Sequence, residues 1–170
     1  MCEIRLAGAK DVNAIIQIGS HTFNKAYGDI VRPDDMATYL EKMFDHIRIA
    51  AEIADETAFY WVAERDDSLL AYAKLAQTPR PKQLPNANMM ELVRLYVVED
   101  EYGKGIGSDL LRAARSNVMA SGCSGWWLRV WQKNASAIRL YERHGFKALG
   151  VEPYLIGETA NPVVLMHEPL

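Results

Sequence analysis

Three glycines at alternate positions lie in segment 102–108, whose sequence is Tyr-Gly-Lys-Gly-Ile-Gly-Ser. Because glycine has no Cβ, such a backbone can approach a ligand closely, and the start of a helix presents N–H groups without partners inside the helix. Those donors and the positive end of the helix dipole favour a phosphate, in particular a pyrophosphate. The same glycines could instead form only a tight turn between a strand and a helix.

Two well-known phosphate-binding motifs do not describe this loop. A P-loop needs Gly-Lys followed by Ser or Thr, whereas Lys104 is followed by Gly105. A dinucleotide fingerprint needs a third glycine three residues after Gly107, where Leu110 stands. That fingerprint also lies early in a βαβ unit, whereas this loop comes late in the chain.

Asn134 and Tyr141 form a second group downstream. They are seven residues apart, which is two helical turns, so a helix over this segment places both side chains on one face. A purely structural interpretation is also open, in which Asn134 caps the helix, Tyr141 packs in the core and Gly145 ends the helix. The presence of the glycine loop upstream favours a shared site over three separate structural roles.

The elements that must position these groups follow from the hydrophobic periodicity. Apolar residues at helical spacing predict a helix over 10–25, and Pro33 suits the first turn of a second helix. Aromatic-rich runs at 59–63 and 69–73 predict an antiparallel hairpin. The remaining predicted elements are a first strand at 2–6, a helical segment at 47–53, an exposed loop at 78–88, strands at 92–98, 126–131, 146–156 and 163–167, and helices at 105–121 and 134–144.

Length and composition predict one globular domain spanning 1–170, with 49% hydrophobic and 24% charged residues. A net charge of −3 and the lack of a Lys/Arg stripe argue against nucleic acid as the main partner. No apolar stretch approaches the ~20 residues of a membrane helix, and the first residues lack the pattern of a signal peptide. Cys2 and Cys123 are isolated thiols without metal or disulfide spacing. We therefore expect a cytoplasmic protein that binds neither a metal nor a membrane.

The two motifs together resemble the GNAT superfamily of N-acetyltransferases. The resemblance rests on Leu95-Tyr96-Val97-Val98 with the glycine loop, followed by Asn134, Tyr141 and His144-Gly145-Phe146, and it is sharpest from about Glu91 to Phe146. It implies a GNAT-like mixed α/β (α+β) fold, in which a mixed, mostly antiparallel sheet of about seven strands is flanked by helices. The segment from Phe23 to Leu40 is also similar to bacterial spermine/spermidine acetyltransferases.

The activity implied by the resemblance is transfer of the acetyl group of acetyl-CoA to a primary amine, by direct attack in a ternary complex. A small polyamine-like amine is the favoured acceptor, and a protein or peptide amine stays open. A non-catalytic acetyl-CoA-binding regulatory module and an unrelated nucleotide-binding α/β protein are the alternatives. Homodimerisation through the edge strands or the C-terminal segment is also plausible.

The resemblance also implies roles for individual residues. The strand backbone would bind the pantetheine arm, the loop would hold the pyrophosphate, Asn134 would bind pantetheine or order the site, and Tyr141 would face the thioester sulfur as general acid. The implied cofactor-binding residues are Leu95, Tyr96, Val97, Val98, Tyr102, Gly103, Lys104, Gly105, Ile106, Gly107, Ser108, Asn134, Ile138 and Tyr141.

Two positions depart from the pattern of the superfamily. Tyr102 replaces the usual Arg or Gln at the first loop position, which matters little for a loop that binds through backbone N–H groups. Val93 stands where several polyamine-type relatives carry a glutamate proposed as the general base. Glu91 lies two residues earlier on the same strand face, so it is the candidate base and could act through water, and a water chain without Glu91 is the alternative.

Aromatic side chains between the first two helices and the later strands are the candidates for the acceptor pocket, since aromatic faces suit cationic amines. These residues are Phe23, Tyr27, Tyr39, Trp131 and Tyr154. Ordinary core packing is the alternative for each of them. Asp29, Asp34 and Asp35 could attract an amine, or could form only a solvated loop and helix cap.

Overall fold

The computed structural model describes residues 2–170, which form five α-helices and seven β-strands. The helices are α1 (Val12–Tyr27), α2 (Pro33–Met43), α3 (His46–Ala54), α4 (Ile106–Ala120) and α5 (Ala135–Arg143). The strands are β1 (Glu3–Leu6), β2 (Ala58–Arg65), β3 (Ser68–Ala76), β4 (Met90–Val97), β5 (Gly125–Trp131), β6 (Lys147–Ile156) and β7 (Thr159–Pro169). No helix within residues 2–170 is long and apolar enough to cross a membrane.

All seven strands belong to one sheet, in the order β1-β2-β3-β4-β5-β7-β6. Every neighbouring pair is antiparallel except β4 and β5, which run parallel. The mixed, mostly antiparallel seven-stranded sheet predicted from the sequence is therefore confirmed. Because β4 and β5 are parallel, the chain needs a crossover between them, and α4 provides it.

The two faces of the sheet carry separate hydrophobic cores. On one face, α4 and α5 pack against the sheet, and an apolar stripe of α4 formed by Ile106, Leu110, Ala114 and Val118 is buried there. On the other face, α1, α2 and α3 cover the sheet with a core that includes Ile15, Phe44 and Tyr72. Consecutive tryptophans of β5 serve both faces, since Trp126 belongs to the first core and Trp127 packs in a smaller cluster with Leu84 and Met89. Both cores and the smaller cluster are described for residues 2–170.

The parallel contact between β4 and β5 is short. Only Met90, Glu91 and Leu92 of β4 pair with β5, although β4 continues to Val97. The next residue, Val93, has no partner in β3, because Lys74 pairs with Arg94 and Leu75 pairs with Leu92. A β-bulge of this kind bends the strand and increases its twist. The two strands therefore diverge from Leu92 onwards and leave a split at the centre of the sheet.

The element bounds match the sequence-based expectation closely except for the last strand. β7 runs over Thr159–Pro169 rather than over 163–167. After Thr159, its first residues are Ala160, Asn161 and Pro162, which are poor strand formers. They pair with β6 across a short turn that contains Gly157. Hairpin pairing therefore extends the strand beyond what local propensity predicts.

Candidate active site

A cleft of about 1160 Å³ includes the split and is lined by residues of both helical layers. Its wall includes both candidate catalytic residues, Glu91 and Tyr141, and all five residues predicted for the acceptor pocket. It also includes most of the residues predicted to contact the cofactor, namely Leu95, Tyr96, Val97, Tyr102, Gly103, Gly105, Ile106, Gly107, Ser108 and Asn134. The two sequence motifs and the aromatic residues thus line one cavity.

The backbone polar groups of two β4 residues point into the split. The Val98 N–H donates to the Leu70 carbonyl at 2.8 Å, and the register of β3 with β4 continues from this pair through Tyr96. Hydrogen-bonded and non-hydrogen-bonded pairs alternate in an antiparallel ladder. The N–H and C=O groups of Leu95 and Val97 therefore face away from β3, into the space where β5 has diverged.

The glycine loop ends at the mouth of this split. Gly105 precedes the first residue of α4 with φ of 89°, a left-handed conformation that strains any residue with a Cβ. The first bond of the helix joins the Asp109 N–H to the Gly105 carbonyl, which leaves the N–H groups of Ile106, Gly107 and Ser108 without helical partners. A Cβ on Gly107 would lie 3.3 Å from the side chain of Leu140, so the helix start approaches α5 closely.

The loop is anchored on its N-terminal side by a carboxylate. Glu101 accepts hydrogen bonds from Arg65 at 3.0 Å and from the Lys104 ammonium at 3.2 Å. Those two bonds lower the pKa of Glu101, with the Arg65 bond contributing most. Lys104 therefore points to Glu101 and is not part of the cleft wall, unlike the glycines on either side of it.

Asn134 fulfils the capping role that the sequence left open. Its side-chain oxygen accepts from the Ala137 N–H at 3.1 Å and from the Ser136 hydroxyl at 3.1 Å. The residue also lines the cleft, so its amide NH₂ group is the part left for a ligand. Structural and binding roles are therefore compatible at this position.

Tyr141 lies on α5 with 7% of its surface exposed, and its ring packs edge-on against Phe146 with 5.8 Å between centroids. Its hydroxyl has no hydrogen-bond partner among the described residues, and the residue lines the cleft. Burial raises the pKa of the Tyr141 phenol above its usual range, so the group is protonated at neutral pH. A protonated phenol can donate a proton to a leaving thiolate.

Glu91 reaches the cleft from β4, close to its point of divergence from β5. One carboxylate oxygen accepts from the Thr78 hydroxyl at 2.6 Å, and the other accepts from Arg129 at 3.2 Å. Burial raises the pKa of Glu91, while the hydrogen bond from Thr78 and the charge of Arg129 partly oppose that shift. A carboxylate with a raised pKa is a stronger base than an exposed glutamate.

The predicted aromatic residues line the side of the cleft next to α1 and α2. Phe23 stacks on Tyr39 with 4.4 Å between ring centroids, and the Tyr39 and Tyr154 hydroxyls lie 2.9 Å apart. Tyr27 packs against Trp131 at 5.5 Å between centroids. Burial raises the pKa of both Tyr27 and Tyr39, so these phenols are neutral hydrogen-bonding groups at physiological pH.

Some predicted site residues lie elsewhere. Ile138 packs against the core on the α4 face rather than in the cleft wall, because its neighbours on α5, Ala137 and Leu140, occupy that position. Val98 lines an adjoining groove next to α1 instead of the main cleft. The three aspartates at 29, 34 and 35 are not part of the cleft wall.

A group of charged residues on the side of the cleft next to α2 and α3 was not predicted from the sequence, and this side is called the acceptor side below. Arg94, Lys74 and Glu52 line it, and Glu52 accepts hydrogen bonds from Lys74 at 2.7 Å and from Tyr60 at 2.6 Å. A signal was present, since Arg94 interrupts the apolar run of residues 92–98, and charged residues are rarely buried in a strand without a reason. Among residues 2–170, no cluster of His, Cys, Asp and Glu could hold a metal ion.

Two N-acetyltransferases of other organisms are similar in sequence to this chain. An N-acetyltransferase of Lactobacillus delbrueckii subsp. lactis is 26% identical over 161 residues, covering 95% of this chain and 93% of that protein. The spermidine N(1)-acetyltransferase of Thermoplasma acidophilum is 23% identical over 149 residues, covering 85% of this chain and 88% of that protein. These relatives extend over nearly the whole fold described above.

Solved structures share the same architecture. The crystal structure of the PaiA N-acetyltransferase from Thermoplasma acidophilum, in complex with coenzyme A, has a TM-score of 0.79 to this chain at 21% identity, covering 100% of this chain and 99% of that one. The model of the acetyltransferase (GNAT) family matches residues 24–146, which is more than half of the chain and includes the split, the glycine loop and Tyr141. The chain therefore belongs to the GNAT family of acetyltransferases and is an N-acetyltransferase.

Proposed function

We propose that this N-acetyltransferase transfers the acetyl group of acetyl-CoA to a primary amine, by direct attack of the amine within a ternary complex. The observation that carries the proposal is the split between β4 and β5, which exposes backbone groups beside the free N–H groups of α4. A cofactor with a pyrophosphate and an amide-containing arm fits such a set of donors and acceptors.

The residues present fit acetyl-CoA in three places. The N–H groups of Ile106, Gly107 and Ser108 would bind the pyrophosphate. The backbone groups of Leu95 and Val97 would bind the pantetheine amides, with the free NH₂ of Asn134 beside them. When bound, acetyl-CoA supplies an acetyl thioester to the cleft. CoA complexes of structural neighbours, such as the PaiA enzyme, support this cofactor.

Removal of a proton from the amine is the first requirement, since an amine with a pKa near ~10.4 is almost entirely protonated at pH 7. Glu91 would accept that proton, directly or through water, because burial keeps its pKa above the usual value. Its hydrogen bonds to Thr78 and Arg129 hold the carboxylate in one orientation. A base in a fixed position contributes typically ~10²–10⁴-fold to the rate.

Two further groups would assist the attack on the thioester carbonyl and the departure of the thiolate. The Val97 N–H, turned into the split, would donate to the developing oxyanion. The Tyr141 phenol would donate its proton to the departing thiolate, whose pKa near ~8.5 makes it a moderate leaving group. Alignment of both reactants in one cleft contributes more than either proton transfer.

The acceptor expected from the sequence is a small polyamine-like amine, with a protein or peptide amine as the other candidate, and this expectation stays a prediction. The aromatic wall with Phe23, Tyr39 and Tyr154 and the spermidine-acetylating relative support it. The homodimer also stays a prediction, supported by the exposed apolar side chains Leu149, Val151 and Leu155 on the edge strand β6.

The test is release of free CoA thiol from acetyl-CoA with a panel of primary amines, comparing the wild type with Tyr141→Phe. We expect amine-dependent release in the wild type and a fall of kcat by about 100-fold in the variant, because the phenol acts only in the transition state. The Kd for acetyl-CoA, measured by calorimetry, should change less than about threefold. Thiol release at the same rate with and without amines would refute the proposal.

A further inference from the structure

Arg94 is a buried cation on the acceptor side of the cleft. Its residue surface is 8% exposed, and it lines the cleft next to the bulge at Val93. Its guanidinium carbon lies 4.5 Å from the centroid of the Phe44 ring, which supports one face of the group. A guanidinium stays protonated in proteins, so this position carries a permanent positive charge.

The charge of Arg94 has no counter-ion in the described part of the chain. None of the ion pairs within residues 2–170 includes it, and its Nη1 atom is buried without a hydrogen-bond partner. Buried charges are normally paired, because an unpaired one loses its hydration without compensation. A planar group with several donors, open to a cleft, is suited to a carboxylate or a phosphate.

The nearby carboxylates are already used by other cations. Glu52 pairs with Lys74 at 2.7 Å and with Arg48 at 3.1 Å. Glu91 pairs with Arg129 at 3.2 Å, and Arg129 also contacts Glu152. The positive charge of Arg94 is therefore in excess on this side of the cleft, and this disfavours a polycationic acceptor there.

We propose that the acceptor is a primary amine that also carries a carboxylate or phosphate group, and that Arg94 binds this anion while the amine reaches the thioester. The proposal rests on the acetyltransferase activity proposed above and replaces the polyamine-like acceptor expected from the sequence with an anionic amine. Arg94 lies three residues before Val97 on β4, so a strand rise of ~3.3 Å per residue puts the Cα atoms of these two residues about 10 Å apart along the strand.

The test compares amines that differ only in the anion. Each of the common amino acids that has a primary α-amine and a neutral or basic side chain is assayed beside its α-amide, which lacks the carboxylate. Phosphoethanolamine beside ethanolamine tests the phosphate form of the anion, and spermidine represents the polycations. We expect the wild type to prefer at least one anionic amine over its neutral partner by about 100-fold in kcat/KM, the usual effect of a buried charged hydrogen bond.

The preference should depend on the charge of Arg94. In Arg94→Met the ratio of kcat/KM for the acid over the amide should fall by about 100-fold. Arg112→Met, which removes an exposed arginine of α4, is the matched control and should leave the ratio unchanged. Arg94 also contacts Phe44, so the variant is accepted only if its melting temperature and its Kd for acetyl-CoA stay close to those of the wild type.

A second measurement needs no variant. The deaminated analogue of the preferred acid should inhibit the wild type competitively against the amine, whereas the corresponding amide should not. A preference for neutral amines or for spermidine, or equal inhibition by the acid and the amide, would overturn the role of Arg94 and leave the acetyltransferase proposal intact. Failure of every amine, including a peptide amine added to the panel, to release thiol while acetyl-CoA still binds would refute both proposals.

Discussion

Replacing Gly105 by alanine should weaken the binding of CoA without a steric clash. Gly105 has φ of 89°, and a Cβ built there meets no other atom within 4 Å. The only cost is conformational, because a residue with a Cβ in the left-handed region is strained by about 1–2 kcal/mol. The free variant relaxes by turning the loop, and binding must then restore the strained form. At about 1.4 kcal/mol for each factor of ten, the Kd should rise about 5- to 30-fold.

Gly122 provides a matched control at the other end of the same helix. It has φ of 69° and also has no atom within 4 Å of a built Cβ, but it lies after the last residue of α4, Ala120, at the helix end opposite the cleft. Gly122→Ala should therefore lower the melting temperature while leaving the Kd for CoA unchanged. Calorimetric titration with CoA and with pantetheine, which lacks the pyrophosphate, completes the assay.

The loss in Gly105→Ala should appear with CoA and be absent with pantetheine, because only CoA brings a pyrophosphate to the loop. Equal losses with both ligands would show that the loop acts through the general shape of the cleft. Unchanged CoA binding in Gly105→Ala, with the strain visible only in the melting temperature, would refute the assignment of the pyrophosphate to the N–H groups after Gly105.

Two further predictions concern carboxylates of the cleft. Glu91→Gln should lower kcat/KM about 100-fold at pH 7, and wild-type kcat/KM should fall as the pH drops through the raised pKa of Glu91. Thr78→Val removes a hydrogen bond that lowers this pKa, so it should move the acid limb to higher pH, and an unmoved limb would exclude Glu91 as the base. Glu52→Gln should cost about 3 kcal/mol in the free energy of unfolding, since it leaves Lys74, 7% exposed, without its counter-ion. Glu41→Gln, on the exposed side of α2, should change it by less than about 0.5 kcal/mol in urea titrations, and equal effects of the two variants would contradict the role of the buried pair.

Features that depend on short stretches of chain could be predicted from the sequence. The glycine loop, the cap at Asn134 and the core position of Tyr141 follow from local spacing and residue type, and the structure has all three. Aromatic residues were also predicted to line a cavity between the first two helices and the later strands, and Phe23 and Tyr39 do line the cleft. Resemblance to a family then connected these local features into one site.

The charged residues of the acceptor side, Glu52, Lys74 and Arg94, could not be predicted in the same way. The pair formed by Glu52 and Lys74 joins α3 to β3. It therefore depends on how the helix packs on the sheet, which sequence spacing does not show. Strict alternation from Leu92 would put Arg94 on the face of α4. The bulge at Val93 reverses this, because Leu92, Leu95 and Val97 share the α4 face while Arg94 contacts Phe44 on the opposite face.

The bulge also makes the split itself testable by a deletion. Lys74 and Leu75 already pair with Arg94 and Leu92, so removing Val93 gives a regular ladder with β3 without shifting any other pair. A straight β4 can continue its parallel pairing with β5 beyond Leu92, and the split should close. Loss of the two backbone contacts of Leu95 and Val97 to pantetheine, at about 0.5–1.5 kcal/mol each, should raise the Kd for CoA about 5- to 150-fold.

Closure of the split has a direct signature in hydrogen exchange. The amide N–H groups of Leu95 and Val97 face the split in the wild type and should exchange quickly without ligand, whereas pairing with β5 should protect them in the deletion variant. Val93→Ala keeps the bulge and should retain both fast exchange and CoA affinity. If the deletion variant folds, binds CoA as tightly as the wild type and leaves these amides unprotected, then the divergence of β5 has another cause, and the bulge serves only to turn Arg94 toward the acceptor side.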